Sequence, residues 1–189
     1  FLTILLSTVL GVFGAATVLP TMARAAQEND AVVLMYHRFG EADYPSTNVQ
    51  LAQIDAHIKM LQEGGFTVLP LPDIIAAFEN GDTLPDRAIA ITIDDAFRSI
   101  YEIAWPKFRE AGFPFAVFVA TDLVDRGHGN YMSWDQLREL QKAGVTIGNH
   151  SVTHPHLPDR DMAAVRREIV DAQARLTEEL GVAPSLFAY

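Results

Sequence analysis

The 189-residue sequence has no cysteine, which excludes disulfides, thiolate nucleophiles and cysteine-ligated zinc together. Positive charge is also scarce. The chain carries 14 Lys and Arg against 24 Asp and Glu, a formal net charge of −10, and no basic run appears. A nucleic-acid reader normally presents a basic face, so nucleic acid is not an expected partner. Internal repeats and low-complexity segments are missing as well. What is present is an ordinary globular composition, 49% hydrophobic and 20% charged, at a length that allows one domain with a substantial core.

The N-terminal residues stand apart. Residues 2–19 are apolar apart from Ser, Thr and Gly; Pro20 and then Ala23-Arg24-Ala25 follow. The small-x-small pattern suits cleavage before Ala26, so residues 1–25 read as a signal peptide of bacterial type. The alternative is an uncleaved anchor, the one route by which this chain would touch a membrane. Phe1 rather than Met opens the chain, and its first residues are expected to precede it. Export to the periplasm, envelope or exterior is the expected localisation. Polar residues 26–30 read as a linker, and residues 31–189 as one catalytic domain.

Within that domain apolar runs alternate with amphipathic helices. Residues 31–36, 66–69, 88–93, 115–120 and 145–148 have the length and composition of strands, and 186–189 begins a sixth. Helical spacing runs from Leu51 to the stop at Gly64-Gly65, and from Pro72 to Gly81. It continues over 99–111, where Pro106 kinks or interrupts the helix. Ser133-x-x-Gln136 forms a capping box for a helix ending at Ala143-Gly144, and 161–180 is a long helix. Residues 39–50 read as a long loop. This βαβα order predicts an α/β fold, either an open doubly wound sheet or most of a barrel. In both, chemistry sits at the C-terminal strand edge. The chain stops inside the sixth strand, so the C-terminal part of the domain is expected beyond Tyr189.

Several chemistry-bearing side chains fall on that edge. Asp94 and Asp95 close the third strand, where the pleat ends and both carboxylates are able to enter one cleft; capping the next helix is the simpler reading. His150 and His154 follow the fifth strand. Extended, their rings would lie about 13 Å apart, so sharing an ion requires a turn, and Pro155 disfavours helix at His154. Two imidazoles and a carboxylate are a ligand set for a divalent metal, leaving the second carboxylate free as a base. His37 closes the first strand, as a general acid, a substrate contact or a structural histidine. Trp134 at a helix start either walls a sugar site or packs in the core. His57, His128 and His156 read as solvated, and Arg98 as a carboxylate partner or a loop anchor.

Together these motifs resemble the polysaccharide deacetylase family, or NodB-homology domain. Thr92-Ile93-Asp94-Asp95-Ala96 stands where the family has Thr-Phe-Asp-Asp-Gly, and His150-Ser151-Val152-Thr153-His154 matches His-Ser/Thr-x-x-His. Leu34-Met35-Tyr36-His37 resembles the opening of a branch with an early Tyr-His pair. Leu186-Phe187-Ala188-Tyr189 resembles the start of a third motif, Arg-x-Pro-Tyr/Phe-Gly. The resemblance spans 31–189 and implies a distorted, incomplete (β/α) barrel. It assigns Asp94 as catalytic base and Asp95, His150 and His154 as metal ligands; Tyr36 and Trp134 are the candidate substrate contacts. The implied cofactor is zinc, with cobalt or nickel accepted by some members.

The chain departs from the family pattern in four places. Ala96 replaces a glycine, Asn149 stands where a small residue is usual, and Ala188 occupies the place of an arginine that orients the base. The late Leu-x-His motif that supplies the general acid is not among these residues; either it lies in the C-terminal part expected beyond Tyr189, or His37 does that job. The implied reaction is metal-assisted removal of N-acetyl groups from an amino-sugar polymer, an N-acetylated glycan being the partner. Two rivals are a non-catalytic glycan-binding domain of the same fold and an amidase acting on a non-sugar substrate.

Overall fold

The computed structural model describes residues 29–189; the leader read in 1–25, and residues 26–28 of the linker, lie outside the described residues. Among the described residues no helix is long and apolar enough to cross a membrane. The chain enters through β1 (Ala31–Tyr36) and then makes two strands of two residues each, β2 (Arg38–Phe39) and β3 (Asn48–Val49). These pair in parallel, closed by Arg38 N–H to Thr47 O (3.1 Å) and Gly40 N–H to Val49 O (2.8 Å). Part of the segment expected to be loop is therefore a small ladder. Pairs this short carry no period-2 pattern for a sequence reading to detect.

Helix α1 (Leu51–Glu63) buries Ile54 and Leu61 and starts at a Gln50/Gln53 capping box. Next come β4 (Thr67–Val68) and α2 (Leu71–Asn80), which ends at Gly81 in the left-handed conformation, φ 73°. The central strand β5 (Ala88–Asp94) is buried at every residue, as a parallel strand covered on both faces should be. After it, Ile100–Ala104 form a π-helical turn that leads into α3 (Trp105–Ala111). Pro106 lacks an N–H and would crowd the carbonyl four residues back, so the widened turn is where the expected interruption is absorbed. The chain continues through β6 (Ala116–Val119), the short α4 (Thr121–Asp125), α5 (Trp134–Lys142) with the Ser133/Gln136 capping box, β7 (Thr146–Asn149) and α6 (Met162–Leu180).

The sheet is parallel throughout. β5 has β1 along one edge; its other edge is shared by β4, opposite Ala88 and Ile89, and β6, opposite Thr92 to Asp94. β7 pairs beyond β6, and Phe187 bridges to Asn149, so the sixth strand read in the sequence begins where expected. From β5 onward each new strand adds on the same side, without the reversal of a doubly wound sheet. The architecture is α/β, a distorted and incomplete (β/α) barrel with a parallel sheet. Its core gathers β5, β6 and β7 side chains with Phe39, Phe108, Leu137, Leu140 and Leu176 from the flanking segments.

Gly148, one position before the last residue of β7, has no room for a side chain. A Cβ built there would meet the Phe118 ring at 2.5 Å. Gly148→Ala is expected to lower unfolding free energy by about 1–3 kcal/mol, read as a reduced urea midpoint. An unchanged midpoint would mean that the ring yields freely and that β6 and β7 are not held this closely.

Candidate metal centre and active site

Strand register delivers the site. Tyr36 lies opposite Ile93, so the next residue, His37, comes level with Asp94. Asp94 lies opposite Phe118, Phe118 opposite Gly148, and Val119 opposite Asn149, so Asp95 and His150 emerge from the same edge. The neighbouring acids, which a continuing strand would point to opposite faces, are brought together by a change of backbone hand: Asp95 has φ 71° and Ala96 φ 55°. Ser151 (φ 69°) and His154 (φ 53°) make a comparable turn after β7. Each such residue costs about 1–2 kcal/mol in an L-amino acid. Residues of this kind persist only where their surroundings over-determine them.

The outcome is a compact donor set. His150 Nε2 lies 3.7 Å and His154 Nε2 4.0 Å from Asp95 Oδ1, and the two ring centroids are 4.3 Å apart. One donor atom from each of Asp95, His150 and His154 falls within 4.8 Å of the others. Donors held about 2.0–2.1 Å from a zinc ion sit up to roughly 4 Å apart, so the spacing and the two-nitrogen, one-oxygen chemistry fit a divalent ion. His150 is buried, and its Nδ1 meets the Ala188 carbonyl at 2.9 Å. A carbonyl only accepts, so Nδ1 carries a hydrogen and Nε2 faces Asp95. His154 is half exposed, which leaves the set open to solvent on one side.

Asp94 stays outside the set. It is buried, and His37 Nε2 lies 3.9 Å from its Oδ2. Burial pushes its carboxyl above the usual range; His150 and His37 pull it back, and the charge of Asp95 pushes it up again. A half-desolvated carboxylate beside an acid, three imidazoles and an open face is equipped to accept a proton. The structure thus gathers His37, Asp94, Asp95, His150 and His154 in one place.

The two aromatic candidates both pack against neighbouring side chains. Tyr36 is buried among Phe39, Phe108 and His57, with its hydroxyl 3.1 Å from His57 Nδ1. His57, expected to be solvated, is therefore a half-buried partner of the core. The Trp134 indole packs on the core, donates its N–H to Asp125 (2.8 Å) and lies under the Arg175 guanidinium. His128 and His156 are exposed, and Arg98 is exposed with its N–H on Asn130 O. Several supporting groups went unread in the sequence. The Ala188 backbone, not its side chain, orients His150. Asn149 Oδ1 accepts from Ser151 N–H (2.9 Å), Ser151 Oγ from His154 N–H (3.0 Å), and Glu168 from the residues between. Only hydroxyl and amide chemistry near the motif hinted at these contacts.

Comparison with known proteins finds one family and its fold. A family model described as polysaccharide deacetylase matches residues 81–189. A putative polysaccharide deacetylase, YxkH of Bacillus subtilis, is 23% identical over 141 residues, 75% of this chain and 49% of the relative. A poly-beta-1,6-N-acetyl-D-glucosamine N-deacetylase of Staphylococcus aureus is 27% identical over 138 residues, 63% of this chain and 47% of the relative. The chain spans about half the length of these curated relatives. Among solved structures, IcaB from Ammonifex degensii superposes with a TM-score of 0.73 at 25% identity, over 86% of this chain and 75% of that one. Streptococcus pyogenes deacetylase PplD in complex with acetate superposes with a TM-score of 0.76 at 21% identity, over 84% of this chain and 73% of that one.

Calorimetric titration with zinc is expected to show one ion per chain. Asp95→Ala and His150→Ala are each expected to weaken it at least tenfold, about 1.4 kcal/mol. Unchanged affinity in either variant would place the ion elsewhere.

Proposed function

The chain belongs to the polysaccharide deacetylase family, and on that footing we propose that it hydrolyses N-acetyl groups from an amino-sugar polysaccharide with a divalent ion, zinc, as cofactor. The observation that carries this reading is the buried Asp94 set directly beside a three-donor cluster that it does not join, with His37 at 3.9 Å. Binding a glycan requires neither a free base nor an acid next to it. The N-deacetylases among its relatives act on poly-beta-1,6-N-acetyl-D-glucosamine, which makes that polymer the first substrate to try. The apolar leader read in residues 1–25 supports an exported protein acting on envelope or extracellular glycan.

Asp95, His150 and His154 would hold the ion, which when bound supplies Lewis acidity toward an amide carbonyl and eases loss of a proton from water. Asp94 takes that proton on its carboxylate as water adds to the carbonyl carbon. The Ala188 carbonyl keeps the His150 ring from turning during the reaction. His37, at the end of β1 and next to Asp94, gives a proton from Nε2 to the departing nitrogen as the C–N bond breaks. The products are acetate and the free amino sugar. The place of His37 just past the end of β1 fits an acid supplied by the early Tyr-His pair.

A second reading, a glycan-binding domain without turnover, draws on Ala188, which offers no arginine to orient the base.

Acetate release from N-acetylglucosamine oligomers separates the two. Asp94→Asn is expected to lower turnover by about 10²–10⁴-fold while zinc affinity persists, and a chelator is expected to abolish turnover until zinc is restored. Full turnover in Asp94→Asn would remove Asp94 as the base. Oligomer binding by the wild-type chain without any acetate release would favour the second reading.

A further inference from the structure

His150 and His154 are not held alike. His150 is buried at the end of β7, with its N–H on Val119 O (3.0 Å) and its ring on Ala188 O. His154 is on a loop, half exposed, at φ 53°. The four N–H groups of residues 151–154 all have partners. Asn149 takes the first and Ser151 the last, and one oxygen of Glu168 takes both Val152 N–H (2.9 Å) and Thr153 N–H (2.8 Å). The second Glu168 oxygen accepts from Thr153 Oγ at 2.8 Å. Burial works to raise the Glu168 carboxyl, but these bonds from Thr153 and Val152 outweigh it and hold it below the usual range.

Glu168 sits on α6, which is also tied to β7. Asn149 Nδ2 donates to Ile169 O and Gln173 Oε1, both at 3.0 Å, and Gln173 Nε2 donates to Pro184 O at 2.6 Å. The helix is thus a common frame for the strand that carries His150 and the loop that carries His154. Bonds to a charged carboxylate are about twice as strong as neutral ones, and two converging N–H groups plus a hydroxyl use both of its oxygens. Glutamine has one acceptor oxygen to offer, and alanine has none.

We propose that Glu168 is a positioning residue of the metal centre, clamping residues 151–153 so that the His154 imidazole is held opposite Asp95 and His150. This rests on the metal-hydrolase reading above. It assigns the α6 carboxylate an effect on ion affinity that acts through His154 alone.

A double-mutant cycle on the full chain tests it, with the zinc dissociation constant as readout and circular dichroism as the check on folding. Glu168→Ala is expected to weaken zinc by about 10–100-fold, the range seen when groups supporting a metal ligand are removed. Glu168→Gln is expected to weaken it by roughly three- to tenfold, and it carries the test if the alanine variant does not fold. With His154→Ala already present, Glu168→Ala is expected to cost nothing further. The d–d spectrum of bound cobalt should shift in Glu168→Ala as it does in His154→Ala. Zinc affinity within twofold of wild type in both Glu168 variants, or losses that multiply in the double variant, would overturn the role. A wild-type chain that takes up no zinc would instead overturn the metal reading itself.

Discussion

The turn out of β5 has to bring two adjacent carboxylates to one side of a sheet, and everything in the site follows from how it does so. A strand that ran on past Asp94 would send Asp95 to the opposite face. With Asp95 and Ala96 both left-handed, Asp95 swings toward β7 and meets the two imidazoles, while Asp94 stays in the buried layer beside His37. Ala96 occupies this turn where a glycine would be unstrained. Its carbonyl accepts Met132 N–H at 2.9 Å, and its side chain is fully buried, so the conformation is held from outside the turn.

Two kinds of support share the work around that turn. Parallel register aligns His37 with Asp94, and Asp95 with the approach to His150, using only backbone ladder bonds. Asp94 and His150 are buried there. The His154 side depends on a loop pinned by Asn149, Ser151 and Glu168, and it faces solvent. His154 lies on the open side, so a polysaccharide of the kind proposed above would approach the set past that residue. The His150 side is buried, which matches the burial that raises the Asp94 carboxyl.

Much of this was legible in the sequence. Continuous apolar runs ending in acid or histidine marked the strands and the active edge, because parallel strands buried on both faces read that way. The His150–His154 spacing and the Asp94-Asp95 pair carried the donor set. The sequence was silent where a partner is a backbone atom or lies far along the chain. Ala188 is unremarkable as a side chain, yet its carbonyl fixes the His150 tautomer. Glu168 sits 14 positions past His154 on a helix whose apolar face alone was read. The two-residue strands at 38–39 and 48–49 were too short to leave a pattern. Tyr36 and Trp134 were nominated as aromatic candidates, and the same apolar ring surface that recommends a sugar contact also packs, burying Tyr36 and leaving Trp134 half-buried against the core.

The central claim is that one ion sits among Asp95, His150 and His154 with Asp94 beside it and unligated. Anomalous diffraction at the zinc edge from crystals of the zinc-loaded protein measures this directly. The account expects a single peak about 2.0–2.2 Å from Asp95 Oδ, His150 Nε2 and His154 Nε2, with both Asp94 oxygens beyond bonding distance. A peak bonded to Asp94, or one that leaves either histidine unbound, would contradict it.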